Sequence, residues 1–123
     1  MRTAIQSEHD EQVTLMKWWA LAHQRFGIPE QLLFAIPNGG VRNIVTASRL
    51  KAEGVRAGIP DLFLAVPSHG MHGLFVEVKR VRGGHVSDAQ SVAIHELKSQ
   101  GYDAVVCYGW EEAKAVIYGY LCH

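Results

Sequence analysis

The chain has 123 residues, room for one compact domain that buries roughly 65% of the surface its unfolded form exposes. Lys plus Arg and Asp plus Glu each total 12, so net charge excludes a uniformly basic nucleic-acid module, and 48% apolar with 20% charged residues excludes disorder and collagen-like repeats. No apolar run approaches the ~20 residues of a membrane helix, and Gln6 to Gln12 is too polar for the core of a signal peptide; a cytoplasmic protein without a membrane partner is expected. Cys107 and Cys122 have no Cys or His nearby in metal-ligand spacing and read as reduced thiols. Without an internal repeat or a Pro/Ser linker, a single stand-alone domain over residues 1–123 is the simplest partition.

Ser7 with Asp10 resembles a capping box, and Glu8, Gln12, Leu15, Trp19, Ala22 and Phe26 then fall within about 40° of one direction on a helical wheel. Gly27 and Pro29 end that helix. Leu32 to Ile36 reads as a short buried strand that stops at the turn Pro37-Asn38-Gly39-Gly40, and Ile44 to Glu53 as a second helix closed by Gly54. Asp61 to Val66 and Leu74 to Lys79 are strand-length apolar runs joined by a hairpin loop, Pro67 to Gly73. Ser87 with Gln90 opens a third helix running to Gly101. Ala104 to Tyr108 is a fourth strand, and Trp110 to Tyr120 a closing helix. The order αβαββαβα predicts an α/β fold, a mixed central sheet flanked by helices, with the third helix as a crossover.

Charges inside apolar strands are informative, because a buried charge is costly unless paired or bound to a metal. Asp61 stands at the mouth of the first central strand. Glu77 and Lys79, two apart on the next, share one face of the pleat while Val76 and Val78 take the other. If the register brings Asp61 beside Glu77, two carboxylates ~4 Å apart repel by about 4 kcal/mol at an effective dielectric of ~20, a cost a divalent cation would reverse. An all-oxygen site suits Mg²⁺ or Mn²⁺ rather than zinc. A carboxylate-held ion polarises a phosphoryl oxygen and acidifies water, and a lysine beside it stabilises developing charge, so phosphodiester hydrolysis fits these parts. Spacing alone equally allows Glu77 and Lys79 to be a solvated ion pair.

The ordered motifs go further. Pro60-Asp61, fifteen residues, then Glu77-Val78-Lys79 resembles the PD-(D/E)-x-K nuclease signature, and Gly54-Val55-Arg56-Ala57-Gly58-Ile59-Pro60-Asp61-Leu62 resembles the VRR-NUC (virus-type replication-repair nuclease) family. Glu8 with Gln12, Pro37-Asn38-Gly39-Gly40 with Arg42, and Ser87 with Gln90 extend the similarity over most of the chain. The resemblance implies a restriction-endonuclease-like core, Asp61 and Glu77 as Mg²⁺ or Mn²⁺ ligands with the Val78 carbonyl, and Lys79 as the catalytic lysine. Its first-helix glutamate falls on Glu8. Glu11 is the competitor but lies about 60° from the stripe centre, so Glu8 is expected to face the sheet; either is also favoured in a first turn by the helix dipole. Gln90 matches the family's glutamine and also completes a Ser-x-x-Gln capping box.

Asn38 and Gly39, with Arg42 beside them, could present amides to a phosphate or simply form a positive-φ turn. His69 and His72 are read as solvent-exposed loop histidines. Arg80 and Arg82 lie in a basic loop after the catalytic strand and with Arg56 are candidate DNA contacts, a solvated loop being the alternative. The resulting expectation is a metal-dependent DNA endonuclease in replication, repair or recombination, in a phage or prophage setting. Branched or Holliday-junction DNA would suit a symmetric homodimer. The rivals are a non-cleaving DNA-structure-binding module with the same fold and a metal-free protein with a surface ion pair.

The charge balance is uneven along the chain. Arg42 to Arg82 holds seven basic residues (Arg42, Arg49, Lys51, Arg56, Lys79, Arg80, Arg82) against Glu53, Asp61 and Glu77, a net +4, leaving −4 elsewhere. Two of those three acids are the proposed ligands, so DNA affinity is expected to rise with divalent metal and fall with salt.

Overall fold

The computed structural model describes residues 5–37 and 44–122. Helix α1 (Glu8–Ala22) starts where Ser7 Oγ accepts the Asp10 N–H at 3.1 Å. Its expected last turn is a tighter 3₁₀ turn, His23–Phe26, ended by Gly27 at φ 70°. Then follow β1 (Leu33–Ala35), α2 (Ile44–Ala52), β2 (Leu62–Leu64), β3 (Leu74–Lys79), α3 (Asp88–Ser99), β4 (Asp103–Tyr108) and α4 (Trp110–Leu121). The strands form one sheet in the order β1-β2-β3-β4, antiparallel except for the parallel pair β3 and β4 that α3 connects. The αβαββαβα order and the mixed sheet flanked by helices are those expected.

One face of the sheet carries the core. Leu33, Leu62, Leu64, Leu74, Val76, Val78 and Cys107 bury against Leu15 and Trp19 of α1 and Ala113, Ile117 and Tyr120 of α4. Each large aliphatic or aromatic side chain there contributes on the order of 1.5–3 kcal/mol through removal from water. Burial raises the Cys107 thiol to about 12, which keeps it an unreactive core residue. Tyr120 Oη donates to the Val66 carbonyl at 2.7 Å and Ser68 Oγ to the Tyr120 carbonyl at 2.6 Å, tying α4 to the β2–β3 hairpin. That hairpin turns at His69 and Gly70, φ 53° and 77°, the two positive angles of a type I′ turn. His69 and His72 are exposed there, as expected. The opposite face carries Phe34, Phe63, Phe75, Glu77 and Lys79, with α3 packed on it over β4.

Strand β3 spans the whole of the apolar run that announced it, but β2 is shorter than the run Asp61 to Val66, and the reason bears on the site. Gly109 N–H donates to the Lys79 carbonyl at 2.8 Å, so the odd residues of β3 bond towards β4 and the even ones towards β2. Continuing the register Leu62↔Val76 sets Pro60 opposite Val78. Proline has no N–H to offer the Val78 carbonyl, so the ladder ends there. The Val78 N–H leaves the ladder as well and donates instead to Asp61 Oδ2 at 2.8 Å.

Candidate active site

Where the β2–β3 ladder stops, Asp61, Glu77, Lys79 and Gln90 converge. Glu77 and Lys79 are 3% and 5% exposed, burial that excludes the solvated surface pair allowed by spacing alone. Lys79 Nζ lies 3.4 Å from Glu77 Oε2 and donates to Gln90 Oε1 at 3.0 Å, while Gln90 Nε2 donates to Glu77 Oε2 at 2.9 Å. The same Gln90 Oε1 accepts the Ser87 N–H at 2.9 Å, and Ser87 Oγ accepts the Gln90 N–H at 3.1 Å. The capping box and the contact with the charged pair therefore coexist in one side chain. The cap fixes the rotamer that the pair uses.

The electrostatics are those of a site short of positive charge. Burial and then the negative Asp61 push the Glu77 carboxyl up to about 7, an effect Lys79 only partly offsets. Asp61 is also raised, mainly by burial with a further contribution from Glu8; the Val78 N–H and Lys79 act in the opposite sense. The two carboxyls are close enough to act on one another, so like charges face each other across the site. Glu77 Oε1 is buried and meets no donor among the described residues. A buried acceptor left unmade costs about 1–3 kcal/mol, so a cation at this oxygen answers a deficit already present. The described residues contain no group of three His, Cys, Asp or Glu side chains that would make an all-protein cage. Two carboxylates with a backbone carbonyl on the same strand edge is a donor set that suits Mg²⁺ or Mn²⁺, which keep open positions for water and phosphate. Val78 meets that requirement, because its N–H and C=O both leave β3 towards Asp61.

The first helix departs from expectation. Glu11, not Glu8, is the buried acid, 3% exposed, and its Oε1 accepts the Trp110 N–H at 2.9 Å at the start of α4. The buried residues of α1 are Glu11, Leu15, Trp19 and Ala22, a direction turned by about 25° from the stripe read on the wheel. The cause is α4, which packs on α1 from that side and brings an uncapped N-terminus to Glu11: Gly109 supplies no side-chain cap. Glu8 is exposed at the first turn, where its charge still reaches Asp61. Glu11 is thus committed to capping α4, and Glu8 is the first-helix acid that the site feels.

Arg56, Arg80 and Arg82 are exposed. Arg80 Nη2 donates to the Gly83 carbonyl at 3.1 Å, folding the loop after β3 back on itself, and Arg56 Nη1 makes a long contact of 3.4 Å with the Lys51 carbonyl. Asn38, Gly39 and Arg42 lie outside the described residues.

Gly58 belongs to the motif run before Asp61, but motif reading gives it no role. It has φ 86°, and a Cβ on it would stand 2.4 Å from the Ala89 carbonyl oxygen and 2.9 Å from the Gln90 nitrogen. Only glycine lets the loop before Pro60-Asp61 touch the first turn of α3, the turn that carries Gln90. Gly58→Ala is expected to cost about 2–3 kcal/mol, a fall in the melting midpoint of roughly 10 °C, and to slow any reaction at the site. A thermal melt unchanged from wild type would remove this seating role.

The comparisons agree with the geometry. A search of curated proteins returns no match. A solved structure described as a VRR-NUC domain protein superposes with a TM-score of 0.81 at 28% identity, covering 96% of this chain and 90% of that one. The VRR-NUC domain family matches residues 2–111, a span that includes Glu8, Asp61, Glu77, Lys79 and Gln90. The chain belongs to the VRR-NUC family of nuclease domains.

Proposed function

We propose that the protein is a Mg²⁺- or Mn²⁺-dependent DNA endonuclease. The observation that carries this reading is the half-buried Asp61 beside buried Glu77, whose Oε1 has no partner among the described residues, flanked by a buried lysine. A binding-only relative would have no use for clustered carboxylates that repel phosphate and leave an acceptor unmade. Asp61, Glu77 and the Val78 carbonyl would hold the ion, which when bound neutralises charge on the phosphate and makes water a better nucleophile.

The protein's own contribution is positional. Lys79 Nζ, held between Gln90 Oε1 and Glu77 Oε2, keeps its third proton for an oxygen that gains charge as the phosphodiester bond breaks. Gln90 is a positioning residue that holds both partners and is itself held by Ser87. Arg56, Arg80 and Arg82 supply exposed charge for neighbouring phosphates, with Arg42 a further candidate.

The test is a cleavage panel of single-stranded, duplex, flapped and four-way-junction DNA with Mg²⁺, Mn²⁺ or EDTA, read alongside the solution mass. The expected result is cleavage with either metal and none in EDTA. Preference for branched DNA by a homodimer would place the activity in repair or recombination. Absence of cleavage on every substrate with both metals overturns the nuclease reading.

A further inference from the structure

The face of the sheet that carries Glu77 and Lys79 does not become polar away from the site; it becomes aromatic. Phe63 follows Asp61 by two residues and Phe75 precedes Glu77 by two, so each ring rises one pleat, about 7 Å, from a proposed ligand. Register sets Phe34 opposite Phe63 and Phe63 opposite Phe75. The rings form a continuous row. Phe34 meets Phe63 edge-on at 5.8 Å, Phe63 stacks on Phe75 at 4.3 Å, and Tyr102 closes the far end 5.5 Å from Phe75. A glycine seats the row: a Cβ on Gly73 would stand 2.7 Å from the Phe63 ring.

These rings are not part of the core, which lies on the other side of the sheet. Phe34, on the edge strand, is 42% exposed, and Phe63, Phe75 and Tyr102 are partly so. The row is continuous with the carboxylates through the same two strands. Ile36, two residues beyond Phe34 and just past the end of β1, donates its N–H to the Asp61 carbonyl at 2.7 Å. An occupant that spans both must carry phosphates and, within one pleat of them, flat apolar faces. Nucleobases out of the duplex stack have that chemistry. In a duplex those faces are covered by neighbouring bases and cannot meet an aromatic ring.

We propose that the Phe34–Phe63–Phe75 row is a stacking platform for unpaired nucleobases of the strand whose phosphate lies at Asp61 and Glu77. It makes single-stranded segments, such as flaps, junction arms that have opened or frayed ends, the preferred substrate class. The proposal rests on the nuclease reading for the position of the phosphate.

Its test reads binding without cleavage. Fluorescence anisotropy in EDTA at low salt compares a labelled oligothymidylate with an abasic strand of equal length, using wild type, Phe34→Ala and Phe34→Trp. Wild type should prefer the strand with bases. Phe34→Ala should weaken that binding about 5- to 100-fold, leave the abasic strand unaffected and retain the wild-type melt; Phe34→Trp should restore the preference. Equal affinity of wild type for the two strands, or equal loss on both with Phe34→Ala, overturns the platform. So does a wild-type dimer that Phe34→Ala converts to monomer with thymidylate binding unchanged, which would assign the face to a second copy of the chain. Base-selective binding without cleavage in the substrate panel sinks the nuclease reading alone; cleavage without base selectivity sinks the platform alone.

Discussion

Asp61→Ala and Glu77→Ala are each expected to lower kcat/KM for DNA at least about 10³-fold, because the ion they would hold supplies several kcal/mol of charge stabilisation. The fold should survive. Either change relieves a repulsion but also removes a partner, the acceptor of the Val78 N–H in Asp61→Ala and the counter-charge of buried Lys79 in Glu77→Ala, so the metal-free variants should melt cooperatively at or somewhat below the wild-type midpoint. The discriminating measurement is the melting temperature with and without Mn²⁺. Wild type at a hundredfold excess over Kd should gain about 2.7 kcal/mol of stability, and both variants should lose most of that gain. Retained cleavage by both variants would sink the assignment, and so would a Mn²⁺-induced shift as large as that of wild type.

Lys79→Ala should separate rate from affinity. Its ammonium is buried and held by Gln90 Oε1 at 3.0 Å, so a loss of about 10²–10⁴ in kcat is expected from a group that acts on developing charge. Metal affinity, read from the same thermal shift, should change far less, because lysine donates no electron pair to the ion when protonated. Removing Lys79 leaves Gln90 in place, since Ser87 still holds it through the capping box. Loss of metal affinity and of rate by the same factor would instead make Lys79 a structural counter-charge for Glu77.

Much of this architecture is legible without coordinates. The order of elements follows from local signals: Ser7 and Ser87 as caps, Gly27 and Gly101 as stops, and the change from a period near 3.6 to a period of 2 between Asp61 and Lys79. The pleat alone puts Glu77 and Lys79 on one face, and the structure finds them there, buried and 3.4 Å apart. Gln90 is legible only by half. A Ser-x-x-Gln box announces a cap, but nothing local says that the free half of the amide reaches Glu77 on another element.

Local signals therefore specify the set of elements, the face each strand residue takes and the residue types gathered near the strand ends, because backbone propensity and side-chain period act over a few residues. The tertiary structure decided which acid of α1 is buried, why Gly58 must be glycine and which rings of β1, β2 and β3 meet in a row. A helical wheel gives angles between residues but not the rotation of the helix against its neighbours, and α4, packing on α1 with an uncapped N-terminus, turned Glu11 inward and left Glu8 at the rim. Likewise, cross-strand partners depend on register, which is settled by where the ladder can continue; here it runs from Leu64 to Leu62 and stops at Pro60, for want of one N–H.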